Sequence, residues 1–350
     1  MISIESRGRS FGTALAGALA ITAINLTGCA TADARDSSVP TSTELQRVVD
    51  EAHAKFKDLK DGKNADYIPI LATIPSELFG VVIVTNDGRT YAAGDTDYAF
   101  AIESTSKPFN LAMVMQEQGP EAVQEKIGVE PTGMPFNSKI ALELLPARSV
   151  NPLVNAGAIA QVSMVEAKDE DERWAKVLGN MSDFAGVKEL PLSEETFNSE
   201  YETSWSNRAI ANLLYNYDRL YSDPEEALRV YTKQCSLLVT TKELGVMGAT
   251  LSNGGVNPVT GKRLLNEEYV PHLLAVMLTA GFYDESGEWS YTAGLPAKTG
   301  VGGGIVAVVP GEMAIAAFSP RLNEAGNSVR ALNAINHISQ QLNLSIFEGE

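Results

Sequence analysis

Strand signals occur near both ends of this chain, and a long helical stretch separates them. Residues 79–85 form a β-rich run that a turn joins to residues 89–93, and residues 302–310 and 313–318 form a second hairpin pattern. Between them, residues 106–278 show mostly helical periodicity broken by Gly and Pro. This order predicts an α+β fold, with one antiparallel sheet built from both chain ends, an inserted helical lobe, and a ligand cleft between the two.

Length and apolar content allow one large domain or two interleaved lobes. The chain has 350 residues, of which 44% are hydrophobic, enough to bury a substantial core. Amphipathic patterns at residues 44–59 and 327–342 predict a helix before the first hairpin and another after the second. We therefore place the folded domain at residues 44–350.

The N-terminal segment has the pattern of an export signal. Two early arginines precede an apolar run at residues 11–26, and residues 26–29 are Leu-Thr-Gly-Cys, which resembles a bacterial lipobox. We predict a signal peptide at residues 1–28, a lipid on Cys29 and a flexible tether at residues 29–43. The chain would then be exported and held on a membrane of the bacterial envelope; the alternative is an ordinary signal peptide with a chance cysteine.

Charge and chelating side chains exclude several classes of function. The formal net charge of −17 at pH 7 argues against a nucleic-acid partner and indicates a soluble, self-repelling surface. The three histidines, His53, His272 and His337, have no zinc-like spacing, so we predict no metal site. Lipidation of Cys29 would leave Cys235 without an intramolecular disulfide partner.

A Ser-x-x-Lys motif begins the helical stretch. Ser104 and Lys107 are three residues apart, so on a helix both lie on one face, where a neutral lysine amine can take the serine proton. Residues 298–300 are Lys-Thr-Gly, and this order of motifs is the one expected of the penicillin-recognising serine enzymes. A lone Ser-x-x-Lys is a weak signal, because Ser104 could be a helix N-cap and Lys107 a surface lysine.

Further segments strengthen the signal. From about Ala65 to the C-terminus the chain resembles the serine-dependent glutaminases of the β-lactamase-like fold. The order and spacing of several segments mark this resemblance: residues 67–69, 94–95, 104–107, 135–138, 151–158, 253–255, 281–284, 294–301 and 326–328.

The resemblance implies hydrolysis of L-glutamine to L-glutamate and ammonia without a cofactor. It makes Ser104 the nucleophile that forms a γ-glutamyl ester, Lys107 the general base and acid, and Tyr283 a participant in proton transfer. The backbone N–H groups of Ser104 and Val301 would hold the oxyanion.

The same resemblance implies the substrate contacts. Glu200 would pair with the α-ammonium group of glutamine, and residues 298–300 (Lys298, Thr299 and Gly300) would support the catalytic groups from behind. Polar contacts to the α-carboxylate and carboxamide would come from Asn155, Asn207, Tyr231 and Tyr283. Members of such a family are commonly homo-oligomers, dimers or tetramers.

Three positions depart from the pattern of that family, and two other functions stay open. Glu103 stands where the family commonly has Gln, and Trp205 and Ser206 stand where it typically has Asp-Arg. The rival functions are a β-lactamase-like hydrolase or transpeptidase on the same fold, and an exported glutamine-binding sensor lipoprotein without turnover. Against the hydrolase, the chain has no convincing Ser-Asp-Asn motif between the two catalytic motifs. Against the sensor, Ser104, Lys107 and Tyr283 are all intact, although a protein without turnover has no need of them.

Overall fold

The computed structural model describes residues 40–144 and 149–348. The predicted signal peptide, the lipidation site Cys29 and most of the predicted tether lie outside these ranges. The helix predicted to begin at residue 44 begins at Ser42, where the Thr41 side chain accepts a hydrogen bond from the Glu44 N–H group at 3.3 Å. Helical structure therefore starts two residues inside the predicted tether. No helix in the described ranges is long and apolar enough to cross a membrane.

The main sheet joins the two chain ends as predicted. Seven strands are described: β1 (Gly80–Thr85), β2 (Thr90–Gly94), β3 (Phe100–Ala101), β4 (Leu238–Val239), β5 (Ala297–Thr299), β6 (Gly304–Val309) and β7 (Met313–Phe318). Five of them form an antiparallel sheet in the order β2-β1-β7-β6-β5. The first hairpin meets the second through the pairing of β1 with β7, in which Gly80 lies opposite Phe318 and Ile83 opposite Ile315.

Helices cover both faces of this sheet, which explains why β1, β6 and β7 are buried along their whole length. The helices are α1 (Ser42–Phe56), α2 (Pro69–Ala72), α3 (Lys107–Gln118), α4 (Pro120–Lys126), α5 (Ile140–Leu144), α6 (Asn155–Met164), α7 (Glu170–Ala185), α8 (Glu194–Thr203), α9 (Trp205–Asn216), α10 (Pro224–Cys235), α11 (Thr241–Ser252), α12 (Val270–Ala280), α13 (Ser286–Thr292) and α14 (Val329–Leu342).

The sheet separates two apolar layers. Helices α1 and α14 pack together on one face and share a core with β1 and β7. Helix α11 packs on the other face, where Gly248 is so close that a Cβ atom there would lie 2.5 Å from Val306 Cγ2.

The helical lobe runs from α3 to α12, close to the predicted range 106–278, and its core is continuous with one face of the sheet through β6 and β7. The two-residue strands β3 and β4 pair with each other at its junction with the sheet. Phe100, in β3, stacks on Phe318 with ring centroids 4.1 Å apart, so the start of the lobe is fixed against β7. This junction precedes the Ser-x-x-Lys motif directly.

Candidate active site

The Ser-x-x-Lys motif occupies a buried turn at the start of α3. Residues Glu103–Ser106 form a 3₁₀ turn whose Ser104 carbonyl oxygen accepts the Lys107 N–H group, so the turn leads directly into the helix. Glu103 adopts a φ of +48°, a left-handed conformation that is strained for a residue other than glycine. Ser106 stabilises this turn, because its hydroxyl donates to the Glu103 carbonyl oxygen at 2.6 Å and accepts from Gln234 Nε2 at 2.9 Å.

Lys107 is completely buried beneath this turn. Its Nζ donates to Asn155 Oδ1 at 2.8 Å and lies 5.8 Å from the ring centroids of both Tyr231 and Tyr283. Burial disfavours the charged amine and lowers the pKa of Lys107 to about 8, although nearby acidic groups oppose the shift. The amine is thus much closer to its neutral, proton-accepting form at neutral pH than an exposed lysine.

The Tyr283 side chain lies beside the nucleophile. It begins a short 3₁₀ turn, Tyr283–Glu285, with a φ of +57°. Burial raises the pKa of Tyr283, and the neighbouring Ser104 side chain partly offsets this shift. The hydroxyl faces Ser104 without a well-aligned hydrogen bond to any described residue, so it is free to exchange a proton with a bound reactant.

Three of the predicted substrate-binding residues form one hydrogen-bonded chain. Asn155, at the start of α6, accepts from Lys107 Nζ and, at 3.3 Å, from the Tyr231 hydroxyl of α10. The Asn155 amide in turn donates to Asn207 Oδ1 of α9 at 3.0 Å. Since these contacts join four helices of the lobe, they fix the amide groups relative to the lysine amine.

Most of these residues line one small cleft, of about 100 Å³. Ser104 and Glu103 lie in its wall, and so do Asn155, Glu200, Asn207, Tyr231 and Val301. The structure therefore brings the predicted nucleophile and five of the predicted binding residues to one cavity. Tyr67 and Phe136 also line it; they belong to the segments that marked the resemblance, but sequence reasoning gave them no role.

Two buried carboxyl groups face this cleft. Glu103 is 2% exposed and Glu200 is 7% exposed, and burial raises the pKa of both groups, that of Glu200 to about 8. One oxygen of each and the sulfur of Cys235 lie within 4.8 Å of one another. Burial also raises the pKa of the Cys235 thiol, so the sulfur stays protonated and is poorly suited to bind a metal.

The Lys-Thr-Gly segment supports the site from behind. It ends strand β5, and Lys298 Nζ donates to the carbonyl oxygens of Gly281 at 3.0 Å and Thr299 at 2.7 Å. The same ammonium lies 3.9 Å from the centroid of the Tyr283 ring, on which it packs. Lys298 is completely buried, and burial holds its pKa well below the usual value.

Gly300 lets this segment approach the nucleophile. A Cβ atom at that position would lie 3.0 Å from the Thr105 nitrogen and 3.2 Å from the Ser104 nitrogen. Within the described ranges, the backbone N–H groups of Ser104 and Val301 donate to no acceptor. Both residues line the cleft, and two free N–H donors in the wall that holds the serine are what an oxyanion site requires.

The sequence model of the Glutaminase family matches residues 62–347. A glutaminase of Mycobacterium ulcerans (strain Agy99) is 53% identical over 311 residues, which cover 88% of this chain and 97% of the relative. Glutaminase 1 of Escherichia coli O6:H1 is 52% identical over 308 residues, covering 88% of this chain and 99% of the relative. Each alignment is long enough to include nearly the whole relative.

The fold is similar to a solved structure as well. The structure described as "probable glutaminase ybaS" superposes with a TM-score of 0.87 at 51% identity, covering 88% of this chain and all of that one. The predicted family and the predicted β-lactamase-like α+β fold are thus confirmed. Because these matches extend along most of its length, the chain belongs to the glutaminase family.

Proposed function

We propose that this glutaminase hydrolyses L-glutamine through a γ-glutamyl ester on Ser104, with Lys107 as the general base. The observation that supports this most is the state of Lys107, whose burial lowers its pKa to about 8 one helical turn from the serine. A buried lysine bonded to a neutral amide oxygen can accept a proton, whereas an exposed ammonium cannot.

The proposed reaction transfers the γ-glutamyl group first to Ser104 and then to water. Ser104 Oγ forms a bond to the side-chain carbonyl carbon of glutamine, and its proton moves to Lys107 Nζ. The C–N bond then breaks and the leaving amide nitrogen takes a proton, which gives ammonia and the Ser104 ester. Water attacks this ester with its proton going to the same base, and the Ser104 oxygen leaves with a proton to complete L-glutamate.

The negatively charged oxygen of each tetrahedral intermediate would accept hydrogen bonds from the N–H groups of Ser104 and Val301. Loss of one such donor typically lowers kcat about 10²- to 10³-fold. The Tyr283 hydroxyl faces Ser104 and is placed to pass a proton between the nucleophile and the leaving group.

The α-ammonium and α-carboxylate groups of glutamine would contact different residues of the cleft. Glu200 is the partner for the α-ammonium group, while Asn155, Asn207 and Tyr231 supply amide and hydroxyl groups for the α-carboxylate and the carboxamide. These groups lie among buried polar atoms, so a ligand without matching charges would leave them unpaired.

The test is ammonia release by the chain without residues 1–29, beside Ser104→Ala and Lys107→Met. Both variants should lose turnover, and hydroxylamine added to the unmutated protein should capture the ester as γ-glutamyl hydroxamate. Turnover retained by Ser104→Ala contradicts the acyl-enzyme. Hydrolysis of a chromogenic β-lactam would favour the rival hydrolase, and tight glutamine binding without ammonia release would favour the sensor.

We also propose that the chain is exported and lipidated on Cys29. The Leu-Thr-Gly-Cys ending of an apolar N-terminal run supports this. In a bacterial host, the full chain should incorporate labelled palmitate and fractionate with membranes, whereas Cys29→Ser should lose the label. An unlabelled chain processed at the same place would indicate an ordinary signal peptide.

We further propose that the protein forms a homo-oligomer. Tyr291 of α13 is 92% exposed, and nearby Ile346 and Phe347 are also exposed, so apolar surface is available for a second copy. Light scattering coupled to size exclusion should give a mass above that of one chain, and Tyr291→Glu should lower it. A monomer at all concentrations would refute this.

A further inference from the structure

We propose that Glu103 and Glu200 act as one carboxylic acid–carboxylate pair that binds the α-ammonium group of the substrate and keeps a single proton. Glu103 is then a specificity-determining residue beside Glu200. The inference rests on the proposed function of this cleft and adds a second acidic partner to it.

The two carboxyl groups come from different parts of the chain and meet in one cleft. Glu103 comes from the 3₁₀ turn and Glu200 from α8, yet their carboxylate oxygens lie within 4.8 Å of each other in the wall of the cleft. Glu103 Oε1 and Glu200 Oε2 are buried and accept no hydrogen bond from any described residue. Two buried acceptors without donors, aimed at one cavity, indicate a ligand that brings several N–H donors.

The charge around the pair decides how many protons it holds. At an effective dielectric constant of about 20, repulsion at this separation disfavours the second ionisation on the order of a hundredfold. The other ionisable groups that face the pair are Lys107 from α3, Tyr231 and Cys235 from α10, Tyr67 before α2 and Tyr283. Lys107 is the one cation among these groups, and it already donates to Asn155.

An incoming ammonium group therefore meets a pair that gives up one proton and keeps the other. The remaining proton keeps one carboxyl group neutral, while the oxygens left over accept from the ammonium N–H groups. Burial of both carboxyl groups raises the pKa of Glu200 to about 8 and that of Glu103 well above its usual range. Below pH 8, binding should accordingly release up to one proton and strengthen as the pH rises.

The experiment measures binding without turnover, in the full chain carrying Ser104→Ala. Calorimetry with L-glutamine between pH 6 and 8, in buffers of different ionisation enthalpy, gives the affinity and the number of protons released. We expect nearly one proton released at pH 7 and an affinity that rises up to tenfold per pH unit. Glutaramate, which lacks the α-amino group, should bind more weakly and release no proton.

Glu103→Gln and Glu200→Gln, separately and together, test whether both members take part. Each single variant keeps one carboxyl group, so we expect a loss of up to about tenfold in affinity with pH-dependent proton release retained. The double variant should lose about a hundredfold and bind independently of pH. Glu202→Gln, an exposed position on the same helix, is the matched control and should change nothing.

Two results would overturn the inference. One is a Glu103→Gln variant with unchanged binding together with a Glu200→Gln variant that has lost all proton release. The other is equal proton release on binding glutamine and glutaramate by the Ser104→Ala protein in which Glu103 and Glu200 are unchanged. This comparison does not depend on whether the Glu variants fold. If Ser104→Ala still released ammonia, the acyl-enzyme proposal would fail while the comparison of the two ligands would stand.

Discussion

Gly300 holds strand β5 against the turn that presents the nucleophile, so Gly300→Ala tests whether catalysis depends on this close approach. The added Cβ atom would lie 3.0 Å from the Thr105 nitrogen, 0.4 Å short of the 3.4 Å at which ordinary van der Waals contact begins. The opposing atoms belong to the backbone of a buried turn and cannot rotate away. The Ser104 turn must therefore move by about that distance.

The size of the effect follows from this displacement. Misplacing a reacting group by 1 Å costs about 10²-fold in rate, so a 0.4 Å shift should lower kcat roughly sixfold. KM should change less, since Glu200 and Asn207 stand on α8 and α9, away from the strand. The assay is ammonia release at saturating L-glutamine, with thermal unfolding measured on the same sample.

Gly179→Ala is the matched control. Gly179 lies within α7, and a Cβ atom there would meet nothing within 4 Å, so the substitution should leave kcat unchanged. It should raise the free energy of unfolding by about 0.5–1 kcal/mol through better helix propensity. A folded Gly300→Ala variant with the kcat of the unmutated protein would refute the reasoning, because the segment would then not constrain the nucleophile.

Three further outcomes are expected. At saturating glutamine, kcat should rise with pH up to about 8 and level off above it, because burial lowers the pKa of Lys107 to about 8 and only the neutral amine accepts a proton; a flat profile would exclude this base. Tyr283→Phe should lower kcat about 10²- to 10⁴-fold. Unfolding curves should show its stability nearly unchanged, since the hydroxyl has no well-aligned partner; equal kcat would remove Tyr283 from proton transfer. Lys298→Met should cost about 1–3 kcal/mol in chemical denaturation, because it leaves the Thr299 carbonyl oxygen unpaired and the Gly281 carbonyl oxygen with only the Thr299 N–H group at 3.4 Å. An unchanged midpoint would show that the two carbonyl groups find other donors.

The architecture was predictable where its signals are local. Both hairpins have strand-forming runs around short turns, and the structure places β1, β2, β6 and β7 at these runs. Strands β3 and β4 have two residues each, too short for any periodic pattern, and they pair across 137 positions or more of sequence. Only their tertiary contacts make them strands.

The candidate site divides in the same way. The resemblance supplied Ser104, Lys107 and the binding residues. The structure places Ser104 and five of the binding residues in the wall of one cleft, and Lys107 donates a hydrogen bond to one of them, Asn155. The approach of Glu103 to Glu200 was not predictable, because it depends on how α8 packs against the turn before α3. Nor could the left-handed backbone of Glu103 be expected, since non-glycine residues seldom adopt positive φ.

Two of the five non-glycine residues with positive φ in the described ranges lie where the chemistry is expected. Glu103, which precedes the nucleophile, and Tyr283, which faces it, both have positive φ, a conformation that costs on the order of 1–3 kcal/mol for each such residue. A serine hydroxyl holds each turn: Ser106 donates to the Glu103 carbonyl oxygen, and Ser286 donates to that of Tyr283 at 2.9 Å. Neither serine lines the cleft, so both act through the backbone of these turns. The two turns aim a hydroxyl nucleophile and a phenol at each other from separate parts of the chain, and the stability of the surrounding core keeps them in a conformation that neither would adopt by itself.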